Sequence, residues 1–476
     1  MVRDLRDWIA GAEAIGQLRR VRGADWRLEI GTLSELNYKR RNHPALLFEA
    51  IKDYPPGYRV LTGSISNAAR VAYSLGLPPT LSDAGLVQRL RGKPLEWERR
   101  AAEFPPRYVP SGPVEEHLDK GNEIDLLKFP APFWHEHDGG RYLGTGCLVI
   151  TRDPDSDWVN FGSYRGMVQD RSSLTVLIIP GKHGRLHIEK YHARGEPAPV
   201  AISLGHDPLL FLLAGIEVPP GVSEFSYAGA IRGEPVEVVR GKITGLPVPA
   251  ASEIVLEGWM RPGSRKLEGP FGEWPGYYSG TNEPVQVLDV ELVQHRSDPI
   301  LLGAPPSRPP HDYSYSKCLL RSAMLHDVLE KAGVPEVRGV WFDEVGGGRL
   351  FVTVAIKQRY PGHARQAAFV ASQCHIGAYM GRYVIVVDDD IDPTNLQEVM
   401  WAVCTRSDPE KDIDILRRTW GSKADPLLRD PKAAFNSRAI IDACRPYEHL
   451  DEFPRVAQAS PEETKRVRDK WKELLE

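Results

Sequence analysis

Two proline-rich stretches divide the chain and constrain its fold more than any other feature of the sequence. The first is EFPPRYVPSGPVEE at residues 103–116, and the second is APPSRPP at residues 304–310. Because proline fixes φ and lacks a backbone donor, neither stretch sustains a helix or a central strand. A chain of 476 residues can form two or three domains, each with its own core. The sequence therefore predicts three domains, at residues 1–112, 113–312 and 313–476.

The first and second segments differ in their hydrophobic patterning. Residues 4–18 and 83–91 carry the spacing of amphipathic helices, and residues 44–51 carry that of a strand. The second segment is a series of apolar or alternating runs bounded by Gly, Pro and Asp turns, with helical inserts near 187–194 and 207–215. Such spacing is typical of a β-barrel or sandwich rather than a parallel sheet.

The third segment returns to alternating helices and strands. Residues 317–332 carry a helical pattern, and YVIVVDDDID at 383–392 is a near-continuous apolar run that ends in acids. Such a run is typical of a buried parallel strand whose C-terminal end meets solvent. The amphipathic pattern of residues 463–476 predicts a charged terminal helix. We therefore expect an α+β multidomain protein, with a β-rich central domain between two α/β domains.

Charge and cysteine content exclude several classes of partner. Lysine and arginine number 60 against 64 aspartates and glutamates, so the formal net charge is −4. This balance gives no general attraction to nucleic acid or to an anionic membrane. No apolar run reaches the roughly 20 residues of a membrane span, and the five cysteines are scattered without a CxxC pair. We expect a soluble cytoplasmic protein that binds a small molecule, and neither nucleic acid nor membranes.

Two glutamates stand five residues apart in KLEGPFGEWPGY, at residues 266–277. Glu268 and Glu273 are separated by Gly-Pro-Phe-Gly, a sequence that neither a helix nor a regular strand tolerates. A tight apolar turn that directs two acids to one place indicates a site. The alternative is a surface turn with solvated glutamates.

Three residues far apart in sequence could hold a metal ion. Asn160 lies on a predicted strand together with Arg165, His183 follows an apolar strand in a glycine-flanked loop, and Glu224 lies in another predicted loop. An amide oxygen, an imidazole and a carboxylate suit Mn²⁺ or Mg²⁺ with open positions for phosphate or water. A polar strand residue and surface loop residues are the alternative. On a regular strand, Asn160 and Arg165 would face opposite sides.

Other motifs carry less information. WHEHDGGRY at 134–142 places His135 and His137 in metal-like alternation, but the adjacent Gly-Gly turn favours a structural or hydrogen-bonding role. The sequence contains no GxGxxG, P-loop, GxSxG or HExxH motif. The commonest nucleotide-binding, serine-hydrolase and zinc-protease functions are therefore excluded.

Several blocks, in order along most of the chain, resemble the UbiD family of decarboxylases that use prenylated FMN. They are NFGSYR (160–165), PGKH (180–183), PPGVSEFSYAGAI (219–231), LEGPFGEWPGY (267–277), VVDDDIDPTNLQEVMWAVCTR (386–406) and SRAIIDACRP (437–446). The resemblance implies an N-terminal α/β domain, a central split β-barrel like that of flavin reductases, and a C-terminal α/β dimerisation domain. The order of domains predicted from patterning is the same.

The resemblance also implies roles for individual residues. It makes Asn160, His183 and Glu224 the ligands of Mn²⁺ or Mg²⁺ that holds the flavin phosphate, with K⁺ nearby. The implied residues of the prenylated-FMN site are Asn160, Ser163, Tyr164, Arg165, Lys182, His183 and Glu224. Arg165, Glu268 and Glu273 become the catalytic set. Arg165 would position the substrate carboxylate and pair with Glu268, and Glu273 would donate the proton that replaces CO₂, its pKa raised by burial and by Glu268.

The implied reaction is reversible, non-oxidative decarboxylation of an aromatic, heteroaromatic or α,β-unsaturated carboxylic acid. A hydroxybenzoate-like acid is the first candidate, with heteroaromatic acids and aromatic acyl-CoA thioesters as competitors. Losing CO₂ from an sp² carbon requires an electron sink, which the prenylated flavin would supply through a covalent adduct. A flavin prenyltransferase would provide the cofactor.

Substrate contacts and assembly are the remaining expectations. The resemblance places the region after APPSRPP at the substrate, so His311, Tyr313 and Lys317 are candidate contacts, and Leu427 is a candidate apolar wall. A homodimer or larger homo-oligomer is expected. Two other functions remain open, namely a non-catalytic flavin-binding subunit and an FMN reductase that uses the same barrel.

Overall fold

The computed structural model describes residues 2–40, 42–216, 218–278, 282–428 and 434–475. None of the helices in these ranges is both long and apolar enough to cross a membrane. The five cysteines are unpaired thiols.

The N-terminal segment folds into short helices around a small sheet. Its elements are α1 (Leu5–Ala14), β1 (Leu18–Arg22), α2 (Glu29–Tyr38), β2 (Ala45–Glu49), β3 (Arg59–Thr62), α3 (Ala68–Ser74), α4 (Asp83–Leu90) and α5 (Lys93–Arg100). The Asp4 side chain caps α1 by accepting the Asp7 amide. Leu5, Trp8 and Ala12 then bury one face of that helix.

The central segment is dominated by strands. Its elements are β4 (Arg107–Tyr108), β5 (His117–Lys120), β6 (Tyr142–Gly144), β7 (Cys147–Arg152), β8 (Val159–Gly162), β9 (Gly166–Val168), β10 (Ser173–Val176), α6 (His183–Ala193), β11 (Ala198–Leu204), α7 (Pro208–Ala214), α8 (Glu224–Arg232), β12 (Glu237–Arg240), β13 (Pro247–Pro249), β14 (Ile254–Met260), β15 (Arg265–Glu268), β16 (Glu283–His295) and β17 (Ile300–Gly303).

Ten of these strands form one curled antiparallel sheet. Its order is β6-β9-β10-β16-β14-β11-β7-β8, and the long strand β16 also pairs with β15 and β5. The β14–β16 register shifts between Glu257 and Gly258, and such irregularities bend a sheet and increase its twist. The fold class predicted from the sequence, a multidomain α+β protein with a central split β-barrel, is confirmed, and the barrel is this curled sheet.

The C-terminal segment forms an α/β layer. Its elements are α9 (Asp312–Lys331), β18 (Val337–Phe342), β19 (Phe351–Ile356), α10 (His363–Gln373), α11 (His375–Ala378), β20 (Tyr383–Asp388), α12 (Leu396–Arg406), β21 (Ile413–Trp420), β22 (Phe435–Ala443), α13 (Pro461–Lys470) and α14 (Lys472–Leu475). The sheet order is β18-β19-β20-β22-β21. The predicted parallel strand β20 lies at its centre and pairs in parallel with β19 and β22.

Two small sheets join strands from the two sides of the predicted domain boundary at residue 112, which lies in the first proline-rich stretch. β17 pairs with β3, so the N-terminal sheet has the order β1-β2-β3-β17 and takes its fourth strand from the central segment. The short strand β4 lies inside the first proline-rich stretch and pairs with β12. Proline restricts a strand but leaves room for a two-residue edge pairing.

Several element boundaries differ from the predictions. The N-terminal helix ends at Ala14 rather than at residue 18, because Leu18 already begins β1. The helix predicted at 187–194 begins four residues earlier, and α9 begins at Asp312 instead of residue 317. The Asp312 carboxylate explains the early start of α9, since it accepts bonds from Tyr38 Oη at 2.9 Å and from the Ile65 amide at 2.8 Å.

Candidate active site

One arginine bridges two glutamates beside the curled sheet. Glu268 ends β15, Glu273 follows in the turn, and Arg165 immediately precedes β9. Arg165 donates from Nε and Nη2 to the two Glu268 oxygens, each at 2.9 Å, and from Nη1 to Glu273 Oε1 at 2.7 Å. The planar guanidinium makes this fork possible, whereas a lysine ammonium could not match its geometry.

The surroundings of Glu268 supply only hydrogen-bond donors, as an ionised carboxylate requires. Its residue is 1% exposed, and Tyr142 Oη donates to Glu268 Oε1 at 2.6 Å in addition to the two bonds from Arg165. Three donors converge on two oxygens, which an ionised, acceptor-only side chain can accept. Burial and the Glu268 charge raise the pKa of Tyr142, so its hydroxyl stays a donor. The Phe271 ring stacks on Tyr142 at 3.8 Å and closes the apolar side.

Glu273 differs from Glu268 in exposure and in its number of donors. Its side chain is 21% exposed, and Arg165 donates a single bond to it. Burial raises the pKa of Glu273, Arg165 opposes that shift, and Glu268 adds to it. With both acids ionised the three side chains carry one net negative charge, so a proton on Glu273 makes the cluster neutral.

The segment before β6 contacts the turn that carries Glu273. It was not among the site residues predicted from the sequence. The Gly139 amide donates to the Pro270 carbonyl at 2.7 Å, and Asp138 Oδ1 accepts from Tyr278 Oη at 3.0 Å. A Cβ on Gly139 would lie 1.9 Å from the Gly269 carbonyl oxygen, so only glycine fits. The Gly-Gly pair of WHEHDGGRY was a signal for this close approach.

Asn160 and Glu224 lie together in a second, buried cluster. Glu224 Oε1 accepts from Asn160 Nδ2 at 2.5 Å, and Glu224 Oε2 accepts from the Phe161 amide at 2.9 Å. Burial raises the pKa of Glu224 to about 8. Asn160 Oδ1 is buried and has no hydrogen-bond partner in the described part of the chain. A cation would satisfy that oxygen and stabilise the Glu224 carboxylate, so these residues fit a metal ion.

His183 and Glu224 begin helices instead of lying in the predicted loops. His183 is the first residue of α6, after Lys182 at the N-cap, and Glu224 is the first residue of α8. The His183 ring packs edge-on against Trp158, with 4.8 Å between ring centroids. Both helices follow Pro-Gly segments, at residues 180–181 and 219–221, which are loop signals and so hide the start of each helix in the sequence.

Arg165 does not continue the strand of Asn160. β8 ends at Gly162 and β9 begins at Gly166, so the chain turns between the two residues. The opposite-face restriction expected for one regular strand therefore does not apply. Asn160 lies within β8, and Arg165 is the last residue of the short connection that follows this strand.

Ser163 and Tyr164 form that connection. Tyr313 Oη donates to the Thr145 carbonyl at 2.8 Å and accepts from Ser163 Oγ, which ties the connection to α9. The Tyr164 carbonyl accepts from Cys147 Sγ at 3.2 Å. Burial, followed by the Glu224 carboxylate, raises the pKa of the partly buried Tyr164.

The candidate substrate residues occupy different positions. His311 is fully buried as the N-cap of α9, its Nε2 lies 3.2 Å from the Trp274 carbonyl, and burial lowers its pKa to about 4. Lys317 lies 5.3 Å over the Tyr313 ring, and its charge lowers the pKa of Glu273. Leu427 is 72% exposed on a loop of the C-terminal segment, and no described contact joins it to the catalytic cluster.

A third cluster of potential metal ligands lies on α9, and an arginine pairs with its acids. His326, Asp327 and Glu330 bring potential metal-ligating atoms within 4.8 Å of one another. Arg91 pairs with Glu330 and lies 3.5 Å from Asp327 Oδ1, so a guanidinium neutralises these acids. The cluster joins the N-terminal segment to α9.

The chain matches family models along most of its length. They are the N-terminal domain of 3-octaprenyl-4-hydroxybenzoate carboxy-lyase at residues 9–90, the Rift-related domain at 107–309 and the C-terminal domain at 314–443. These matches cover the N-terminal segment, the segment of the curled sheet and the C-terminal segment in turn. The chain belongs to the UbiD family and is a carboxy-lyase.

Individual relatives match over nearly the whole chain. A pyrrole-2-carboxylic acid decarboxylase from Pseudomonas aeruginosa is 34% identical, over 94% of this chain and 93% of that protein. A phenolic acid decarboxylase from Sedimentibacter hydroxybenzoicus is 33% identical, over 99% and 98%. An evolved dimeric form of the UbiD-class enzyme HmfF from Pelotomaculum thermopropionicum, in complex with prFMN, superposes with a TM-score of 0.82 at 30% identity, over 98% of both chains.

Proposed function

We propose that this enzyme reversibly and non-oxidatively decarboxylates a small aromatic or heteroaromatic acid, using prenylated FMN. The observation that carries the proposal is the single guanidinium of Arg165 on both Glu268 and Glu273. The names of the relatives, which specify a pyrrole carboxylate and phenolic acids, support a ring-bearing free acid. We take a hydroxybenzoate-like acid as the first candidate and pyrrole-2-carboxylate as the second, while an α,β-unsaturated acid or an acyl-CoA thioester is the wider alternative.

The three catalytic side chains divide the work of proton transfer. Prenylated FMN, when bound, supplies the electron sink that no side chain provides. Arg165 orients the substrate carboxylate, and the carboxylate of Glu268 holds the guanidinium in place. Glu273, the more exposed acid with the raised pKa, delivers a proton to the carbon that loses CO₂. In the reverse direction, Glu273 removes that proton.

Asn160, His183 and Glu224 are the proposed ligands of Mn²⁺ or Mg²⁺. The unpartnered Asn160 Oδ1 and the buried Glu224 carboxyl support a hard cation at this point. His183 and Glu224 each begin a helix, and helix N-termini favour anions such as the flavin phosphate. Lys182, at the N-cap of α6, would add positive charge, and Ser163 and Tyr164 would flank the flavin. K⁺ nearby remains part of this proposal on the family resemblance.

Two other functions are less well supported. A non-catalytic flavin-binding subunit would not need Arg165 or either glutamate, yet all three residues are present and hydrogen-bonded to one another. An FMN reductase would need no paired acids beside the flavin site. NAD(P)H oxidation with ordinary FMN, in the absence of any decarboxylation, would favour the reductase.

Decarboxylation can be tested by producing the chain together with a flavin prenyltransferase. We expect the absorbance of the modified flavin, CO₂ release from a panel of hydroxybenzoates and pyrrole-2-carboxylate, and deuterium in the product when the reaction runs in D₂O. Glu273→Gln should abolish all turnover while the flavin stays bound. Glu291→Gln, at an exposed glutamate, is the matched control. Full activity of Glu273→Gln would refute the proton-donor role.

Substrate selection is proposed to depend on α9. Tyr313 and Lys317 are four residues apart on that helix and so lie on one face. The charge of Lys317 lowers the pKa of Glu273, which supports a role for Lys317 near the reacting groups. His311 would act by shaping the Trp274 backbone, since it is fully buried. Leu427 could form an apolar wall only if its loop moved. Equal substrate preferences in Lys317→Ala and the unaltered enzyme would remove Lys317 from this role.

The proposed assembly is a homodimer or larger homo-oligomer formed through the C-terminal domain. β21 is an edge strand of its sheet, and Ile415, Trp420 and Phe435 on β21 and β22 are about half exposed or more. Contiguous exposed apolar residues on an edge commonly mark an interface. Light scattering of the Trp420→Glu variant, with Trp401→Glu as the control, tests this interface.

We also propose domain boundaries at residues 112 and 312. The proposed location is cytoplasmic, where the unpaired cysteines stay reduced.

A further inference from the structure

A short segment before β6 contacts the catalytic turn on both sides of Glu273. On the near side, the Gly139 amide donates to the Pro270 carbonyl at 2.7 Å. On the far side, Tyr278 Oη donates to Asp138 Oδ1 at 3.0 Å. Tyr277, which precedes Tyr278, accepts the Glu273 amide at 2.9 Å through its carbonyl. The Glu273 backbone is therefore linked to Asp138 through two adjacent residues, Tyr277 and Tyr278.

The burial of the Asp138 carboxyl lowers the folding stability of the protein, because no charged group donates a hydrogen bond to it among the described residues. The residue is 6% exposed, and the His135 amide donates to its Oδ2 at 2.9 Å. Among the described residues, both of its hydrogen-bond donors are uncharged groups, the Tyr278 hydroxyl and this amide. Burying a carboxylate without a cationic donor costs free energy, so such groups are concentrated at functional sites.

We propose that Asp138 is a positioning residue for decarboxylation. Its carboxylate holds the Tyr278 hydroxyl and, through the His135 amide, the turn from His135 to Asp138 that precedes the Gly139 amide, and so keeps Glu273 beside Arg165. The proposal rests on the function proposed above, because it gives Glu273 a proton to deliver. Asp138 has no described contact with the reacting groups themselves. It acts on the turn by which Glu273 is held.

The charge state of Asp138 also makes the positioning depend on pH. Burial raises the pKa of Asp138 to about 6, while Arg165 lowers it and Glu268 raises it. The titratable and charged groups around Asp138 are His135, Tyr142, Tyr278, Arg165 and Glu268, and the His137 ring packs against the Tyr278 ring. Burial lowers the pKa of His135 and raises that of Tyr278, so both are neutral near pH 7. Protonation of Asp138 below about pH 6 removes its charge and weakens both hydrogen bonds.

The decisive variant is Asp138→Asn, which keeps the shape and removes the charge. We expect kcat to fall about tenfold while KM changes less than about twofold, since substrate binding is untouched. The acid limb of the kcat profile near pH 6 should disappear. Tyr278→Phe should lower kcat in the same way and move the acid limb to higher pH, because its hydrogen bond lowers the pKa of Asp138. Glu136→Gln, at an exposed acid two residues away, should match the unaltered enzyme.

A second measurement needs no cofactor and no substrate. Hydrogen–deuterium exchange of the peptide spanning Glu268 to Tyr278 should speed up in Asp138→Asn and in Tyr278→Phe, but not in Glu136→Gln. Because this readout is independent of turnover, it decides the positioning role even if the unaltered enzyme decarboxylates no acid in the panel. Unchanged exchange of this peptide in Asp138→Asn would overturn the proposal. So would an active Asp138→Asn enzyme that retains both kcat and the acid limb.

Discussion

Arg165 and Glu268 form a two-bond pair in which Nε and Nη2 each lie 2.9 Å from a carboxylate oxygen. This pairing leaves Nη1 directed at Glu273, 2.7 Å from Oε1. The Arg165 side chain is only 12% exposed, so water competes little for these bonds. The fixed fork thus connects Glu268 to Glu273, the proposed proton donor.

Replacing Arg165 by lysine should remove the fork but keep the positive charge. A lysine cannot donate to both Glu268 oxygens and to Glu273 at the same time, so we expect kcat/KM to fall roughly 100-fold or more. Steady-state kinetics on the best acid of the panel measures this loss. Arg171→Lys, at an arginine with a 67% exposed side chain, is the control. Near-normal activity of Arg165→Lys would show that charge alone suffices.

Tyr142→Phe should weaken the support of Glu268 while keeping the ring stack. The variant loses the 2.6 Å hydrogen bond to Glu268 Oε1 and retains the contact with Phe271. We expect a cost of about 1–3 kcal/mol in folding stability and a fall in kcat, because a buried carboxylate loses one donor. Thermal unfolding and kinetics together measure both effects. Tyr383→Phe, at a 46% exposed tyrosine, should change neither.

Gly139→Ala should displace the catalytic turn through backbone contact. A Cβ at this position would meet the Gly269 carbonyl oxygen at 1.9 Å, and backbone cannot rotate away as a side chain can. We expect lower thermal stability and a large loss of kcat. In Gly215→Ala, by comparison, the nearest atom to the new Cβ is 3.4 Å away, so it should behave like the unaltered enzyme. Full activity of Gly139→Ala would mean that the turn tolerates displacement.

The two glutamates of the proposed catalytic set could be predicted from the sequence, whereas Tyr142, which contacts Glu268, and the segment before β6, which contacts their turn, could not. Glu268 and Glu273 were recognisable because proline and glycine mark their turn locally. The contact of Tyr142 with Glu268 joins residues 126 positions apart, and nothing local indicates it. Asp138 was passed over for the same reason, although its Gly-Gly neighbour marked a close backbone approach.

The predicted helix boundaries differ from the observed ones where tertiary contacts, rather than hydrophobic periodicity, determine the start of the helix. The start of α9 lies before the predicted one, where Asp312 accepts bonds from Tyr38 and Ile65, and His311, a proposed substrate contact, is its buried N-cap. His183 and Glu224 were expected in loops because Pro-Gly segments precede them, at residues 180–181 and 219–221, and such segments are loop signals. Local sequence signals therefore mark where a turn or loop lies, but they do not specify where the next helix begins or which side chains it buries.

Removing a proposed metal ligand should release both metal and flavin. Glu224→Gln would leave an amide next to Asn160, so we expect Mn²⁺ affinity to fall at least tenfold, and the amount of flavin that co-purifies should fall with it. Metal analysis and flavin absorbance of the purified protein measure the two losses. His449→Ala, at a histidine with a 67% exposed side chain, is the control. Unchanged metal and flavin contents in Glu224→Gln would exclude Glu224 as a ligand.

Lys317 should set the alkaline limit of activity. Burial raises the pKa of Glu273, and the positive charge of Lys317 is one of the groups that lower it. A proton donor acts only in its protonated form, so kcat should decline as pH rises through the pKa of Glu273. Lys317→Met removes the opposing charge, raises that pKa and should move the alkaline limb of kcat to higher pH. Lys317→Arg keeps the charge and should leave the limb in place. An alkaline limb that is the same in Lys317→Met and the unaltered enzyme would mean that it reports a group other than Glu273.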